Sequence, residues 1–279
     1  MAKITIASAL VCAVLLITGI GPEVEAQQKQ LLVVRGDASV AQLMEDLTGS
    51  FMKDYPDYSV VVSGGAAASG VEALLAGEAQ VGMSAHLISP DEEKLAEAKG
   101  MTLMSSLVYW EGVAVICHPS NPCEKLTLDE VRDLLSGKYT SWSQVKGPEA
   151  KVDVVVIETP TSGIGSYFNK TVLGDSPLVP SARIFRYFKN VVGEVAKDPG
   201  AIGYAPVRFV EQAKGKDNVK VLAIARSEHH MYVAASRQTV KNRSYLLITP
   251  LFLFYDNNAK LKGGRTLVEY CTRKGLLGE

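Results

Sequence analysis

Beyond its first twenty residues the chain has no apolar run long enough to span a bilayer, and the stretch Tyr245–Tyr255 is short enough to read as a buried strand. Neither sign of charge is in excess, with 29 Lys and Arg against 30 Asp and Glu, so the basic footprint of a nucleic-acid binder is missing. No Gly-x-Ser-x-Gly elbow, Gly-x-x-x-x-Gly-Lys-Ser/Thr loop, His-Glu-x-x-His helix or dinucleotide fingerprint occurs, which removes the enzyme classes those motifs carry. Histidine is scarce, at 4 residues, and the adjacent pair His229-His230 would point to opposite sides of an extended segment, so no metal site is expected there. Ser162 lacks a histidine partner at a defined position and reads as a helix cap or ligand donor rather than a nucleophile. No catalytic residue and no cofactor is therefore expected. There is no low-complexity linker and no internal repeat.

What the chain does have begins at its N-terminus. Lys3 precedes an apolar run from Ile4 to Ile20, and Val24-Glu25-Ala26 forms a small-residue cleavage pattern before Gln27. This predicts a secretory signal peptide over residues 1–26, cleavage near Ala26, and a periplasmic or secreted protein. Cleavage would remove Lys3, Glu23 and Glu25 and leave basic and acidic side chains in equal number. The remainder exceeds the usual single-domain size, so two lobes are expected.

Three cysteines follow the cleavage site. Cys117 and Cys123 bracket the turn-rich segment His118-Pro119-Ser120-Asn121-Pro122, and in an oxidising compartment a small disulfide loop is expected. The alternative is two unpaired thiols flanking a turn. A zinc site using His118 with both thiols would need a fourth ligand that is not nearby.

The hydrophobic pattern alternates between the two periods and predicts an α/β chain. Strands are expected at Leu31–Arg35, Tyr58–Ser63, Ala79–Met83, Leu107–Cys117, Val152–Ile157 and Val219–Ala223. Val40, Leu43, Met44, Leu47 and Phe51 share one helical face, Val71–Ala76 forms a helix stopped by Gly77, and Thr127-Leu128-Asp129-Glu130 is a capping-box start. This rhythm predicts two open, twisted sheets whose loops meet in one cleft.

Ser162-Gly163-Ile164-Gly165-Ser166-Tyr167-Phe168 follows a strand and opens a helix, a natural anion cradle. Read with Gly64–Gly77, Asn121-Pro122, Leu126-Thr127, Ser136–Trp142 and Gly200–Tyr204 in that order, it resembles the PstS-like phosphate-binding proteins of ABC importers over roughly residues 31 to 275. The resemblance implies a two-lobed periplasmic-binding-protein fold of type II, with a hinge of two crossing strands near Tyr109–Gly112 and Tyr245–Leu251. Lobe 1 would comprise residues 27–110 plus 246–279, and lobe 2 residues 111–245. It further implies a monomer that closes on a small solute and presents the closed form to a membrane permease, with no role in nucleic-acid binding.

The ligand set implied by the resemblance is Asp37, Ala38, Ser39, Ala67, Ser69, Gln80, His86, Glu158, Ser162, Gly163 and Ile164. Several of these depart from the family pattern. Gly36-Asp37-Ala38-Ser39 stands where Gly-Ser-Thr-Thr is usual, Ala66-Ala67-Ala68 where a Gly-Ser-Gly is, and Gln80 where an Asp opens the next strand. Ala85-His86 replaces Ser-Arg, Glu158 an Arg, Ile164 a Thr, and Thr249 an Arg often found near the last crossing strand. Phosphate recognition needs donors and positive charge, so these changes predict weak phosphate binding. Asp37, Glu158 and Glu111 could instead favour a neutral or cationic solute, with Tyr109 and Trp110 as aromatic faces. Two functions are carried forward: a solute-binding subunit for phosphate, another oxyanion or another small solute, and an envelope interaction or sensory protein that keeps the fold without transport.

Overall fold

A computed structural model describes residues 29–66, 69–213 and 218–277. The predicted signal peptide and Ala67 lie outside the described residues. Among the described residues no helix is long and apolar enough to cross a membrane.

The first part alternates strictly: β1 Gln30–Asp37, α1 Ala38–Asp54, β2 Tyr58–Gly65, α2 Ser69–Leu75, β3 Val81–Ser84 and α3 Pro90–Ala98. The long β4, Leu103–Cys117, leads to β5 Lys125–Thr127 and α4 Leu128–Leu135. Then come β6 Asp153–Ile157, α5 Gly163–Phe168, β7 Arg183–Phe185, α6 Phe188–Val195, β8 Ala201–Pro206 and α7 Val207–Gln212. The chain ends with β9 Lys220–Val221, β10 Ala223–Ala225, β11 Val233–Ala234, α8 Arg237–Lys241, β12 Ile248–Asp256 and α9 Gly263–Leu277.

Local chemistry accounts for the main helices. On α1 the residues Val40, Met44, Leu47 and Phe51 are buried, which is the face the spacing predicts, and Phe51 meets Tyr55, Tyr58 and Tyr270 in an aromatic cluster that docks α9. Thr127 and Glu130 form the predicted capping box at α4. Ser162 caps α5 by accepting from Gly165 N at 3.0 Å.

The sheets differ from the predicted pair in one respect. A single nine-stranded sheet runs β2-β1-β3-β12-β4-β8-β6-β7, with β9 on β4, and a separate three-stranded sheet runs β11-β10-β5. Fusion arises because β4 is shared: residues 103–112 pair with β12, and residues 113–117 pair with β8. The partner changes at Gly112, where an added Cβ would sit 2.3 Å from Val240 Cγ2 and 2.9 Å from Val207 Cγ2. Two half-sheets thus meet through the strands β4 and β12.

The expected Cys117–Cys123 disulfide is not formed; both are buried free thiols, as is Cys271. The β4 ladders to β8 and β9 fix Cys117 in place, while Asn121 Oδ1 accepts from Cys123 N and turns that thiol toward the carbonyls of Lys125 and Val145, at 3.6 and 3.7 Å. Burial pushes the Cys117 and Cys271 thiols up to about 12 and raises Cys123 as well. Alkylation without reductant should therefore modify none of the three in the folded protein and all three in denaturant. Peptide mapping that finds Cys117 and Cys123 blocked in denaturant would restore the bridge.

Candidate functional site between the half-sheets

The carboxyl ends of β1 and β3 face the start of α5, and one carboxyl group joins β1 to it. Asp37 ends β1 and caps α1, its Oδ1 accepting from Ser39 N at 2.8 Å and from Ser39 Oγ at 2.6 Å. Its Oδ2 accepts from Gly163 N at 3.0 Å, across the junction. The carboxylate is fully buried. Burial raises its pKa, opposed by the Ser39 hydroxyl and amide, the Gly163 amide and the charge of His86. Two glycines make the approach possible. A Cβ at Gly163 would stand 2.2 Å from Asp37 Oδ2 and 3.0 Å from Ala85 Cβ, and one at Gly36, whose φ is +147°, would lie 2.0 Å from Met83 O.

A second layer of charge lies behind Ser39. Arg208, in the first turn of α7, donates through Nη2 to Ser39 O. Its Nη1 stands 3.3 Å from Glu111 Oε2, and both side chains are buried. Glu111 sits on β4 opposite Thr249 of β12, whose buried hydroxyl has no hydrogen-bond partner among the described residues. Burial pushes the Glu111 carboxyl up to about 7, with Arg208 and the nearby Val207 and Gly112 amides pulling the other way. Arg208 thereby ties α7 and β4 to the start of α1.

The structure brings Asp37, Ala38, Ser39, Ser162 and Gly163 to one place. A cleft of about 850 Å³ opens beside them, with Ala38, Ser39, Thr161 and Ser162 on one side and Arg186 and Phe188 on another. His86 is exposed just after β3, its amide donating to Ser84 Oγ at 3.2 Å. Ser69 opens α2 at the same edge, but its hydroxyl donates to Ala66 O at 2.8 Å. Glu158 lies on the rim, accepting from Thr161 Oγ1 at 3.2 Å and facing Arg186 Nε at 3.9 Å. Ile164 is fully buried in the core and offers its backbone alone.

Gln80 does not belong to this group. It precedes β3 at the amino end of the sheet, where its Oε1 accepts from Val33 N at 2.9 Å, and the register places Val81 beside Val34, well before Asp37. The residues of this strand that reach the junction are Ser84 and Ala85. Arg208 was not singled out from the sequence. Its only local signal is an arginine in the first turn after the wholly apolar β8.

With this geometry in view, comparison with known proteins gives a consistent picture. A model of the PBP superfamily domain matches residues 22–273. The phosphate-binding protein PstS of Staphylococcus epidermidis is 27% identical over 240 residues, covering 84% of this chain and 71% of that protein. A phosphate ABC transporter substrate-binding protein from Clostridium perfringens, solved with phosphate bound, superposes with a TM-score of 0.72 at 24% identity over 86% of this chain and 92% of that one. An ABC-type phosphate transport receptor from Vibrio cholerae gives a TM-score of 0.69 at 20% identity over 88% of this chain and 97% of that one. The last two likenesses concern the fold, which is two-lobed and α/β. Matched over most of its length, the chain belongs to the PBP superfamily.

Proposed function

We propose that this chain is an extracytoplasmic solute-binding protein of the PstS kind, capturing an oxyanion of the phosphate class for an ABC importer. In this reading lobe 1 is residues 27–110 with 246–279, lobe 2 is residues 111–245, and the ligand sits among Asp37, Ala38, Ser39, Ser69, His86, Ser162 and Gly163, with Glu158 on the rim. One observation carries the reading. A carboxyl oxygen already occupies the junction, where Asp37 Oδ2 accepts from the Gly163 N–H.

The same contact sets the affinity. An incoming phosphate must displace a carboxylate that holds three hydrogen bonds, and charge-assisted bonds contribute about 1.5–3 kcal/mol each. Like-charge repulsion between Asp37 and the ligand adds to that opposition. Wild-type protein should therefore bind phosphate weakly near neutral pH. The Asp37→Ser variant keeps a helix-capping oxygen and frees the Gly163 donor, so calorimetry should record phosphate affinity higher by about tenfold or more. A folded Asp37→Ser protein with no gain would sink the oxyanion reading and favour an envelope interaction or sensory protein held closed by Asp37.

A further inference from the structure

A second cavity, of about 840 Å³, lies between α1, the middle of β4, α7 and α8. Its apolar floor is Leu43, Leu47, Leu107 and Val240, and the half-buried rings of Tyr109 and Trp110 line one side. The size is that of a small-molecule pocket, which falls at about 300–1,000 Å³. Its polar lining is strongly cationic in a chain that is otherwise charge-balanced. Arg208, Arg237, Lys241, Arg243 and Lys274 line it, and Asp46 is the acidic residue among the lining groups. Behind these, Glu111 faces Arg208 and Glu211 pairs with Arg237, so positive charge still exceeds negative.

Two features point to a ligand. Arg208 is 7% exposed, yet among the described residues its Nε has no hydrogen-bond partner, while Nη1 is engaged in the ion pair with Glu111. Buried donors are almost always satisfied, so Nε is a donor that the fold itself does not use. Arg243 adopts a left-handed backbone, with φ of 57°, and holds its guanidinium 4.6 Å from the centre of the Trp110 ring. A cation is thereby held over an aromatic surface at the cavity mouth.

We propose that this cavity is a second binding site, separate from the Asp37 junction, for a small organic anion with a flat apolar body and one phosphate or carboxylate group. The body lies on Trp110, Tyr109 and the leucine floor. The anionic group meets the charges of Lys241 and Arg243, with the buried guanidinium of Arg208 behind them. A purely inorganic anion would leave the apolar floor unfilled, and a neutral ring would leave the cations unanswered.

Phenyl phosphate is the probe, with inorganic phosphate and phenol as its two halves. The chain has 2 tryptophans, and Trp142 is fully buried with its Nε1 donating to Gly200 O, so ligand-dependent emission reports Trp110. Calorimetry of the same titration covers a spectroscopically silent complex. Phenyl phosphate should bind saturably, and at least about tenfold more tightly than either half. A Lys241→Glu/Arg243→Asn variant changes two exposed residues, and Asn tolerates the left-handed backbone. It should bind phenyl phosphate at least about tenfold more weakly with its melting temperature unchanged. Asp37→Ser should leave this binding within about twofold, which separates it from the junction. No saturable heat or emission change up to about 10 mM, equal affinity for inorganic phosphate, or an unaffected double variant would each overturn the proposal.

Discussion

Replacing Arg208 with Leu should lower the stability of the folded protein by about 3–5 kcal/mol, read by urea or thermal unfolding. The change strands the buried Glu111 carboxylate without its cation and removes the bond to Ser39 O that holds α7 against the start of α1. Removing one member of a buried pair is costly because the other remains desolvated, whereas removing both is often nearly neutral. Arg208→Leu with Glu111→Met should therefore recover at least about 1–2 kcal/mol of the loss. A double variant no more stable than Arg208→Leu alone would show that the pair is not coupled. The Glu111 carboxyl adds a pH signature. Its folded pKa of about 7 lies above the ordinary 4.5, so the folded state takes up a proton between those values. That contribution is full below about pH 4.5 and lost as pH rises through about 7. Wild type should lose stability from this group between pH 5 and pH 8, by on the order of 2 kcal/mol, and Glu111→Gln should show a flatter profile.

Gly36→Ala should be at least as damaging, destabilising by roughly 3 kcal/mol or more and abolishing whatever the Asp37 junction does. The methyl group would enter at 2.0 Å from the Met83 carbonyl, on a residue whose φ of +147° disfavours any side chain. A backbone atom on a paired strand cannot move aside as a flexible side chain can. Relief requires β1 to separate from β3, which displaces the very next residue, Asp37, from Gly163. Hydrogen exchange would show this as lost protection along β1 and β3 and at Gly163 N. A fully protected, stable Gly36→Ala protein would contradict the close approach of these strands.

Signals contained within a few residues were legible in the sequence. The α1 face, the Thr127–Glu130 capping box and the Ser162 cap each depend on spacings shorter than one helical turn or on a single period, and each appears where the spacing predicts. Gln80 was placed at the site by the resemblance alone; β3 runs parallel to β1, so the residue before Val81 lies at the amino end of the sheet, away from Asp37. The Cys117–Cys123 expectation rested on separation and compartment, but whether two thiols meet depends on side-chain direction, which the intervening turn sets. Glu111 was read from the sequence as an acidic candidate, but Arg208 and the pairing of the two were hidden for a related reason. Each is an ordinary charged residue in its own segment, and only the crossing of β4 beneath α7 makes them a pair.

The order β3-β12-β4 also governs how the molecule can assemble. The strand lying between β3 and β4 is drawn from Ile248–Asp256, far along the chain from both. Until it arrives, β3 and the first ten residues of β4 present two unpaired edges, each a template for joining other chains. The half built on β8, β6, β7 and β9 needs nothing beyond residue 221 for its own ladders and can form early. The other half must wait, since its closure is a contact between distant parts of the chain and carries the loop-closure delay of such contacts. Closure of this sheet is thus tied to the emergence of β12, and a polypeptide halted before Ile248 would be held as an open, association-prone intermediate.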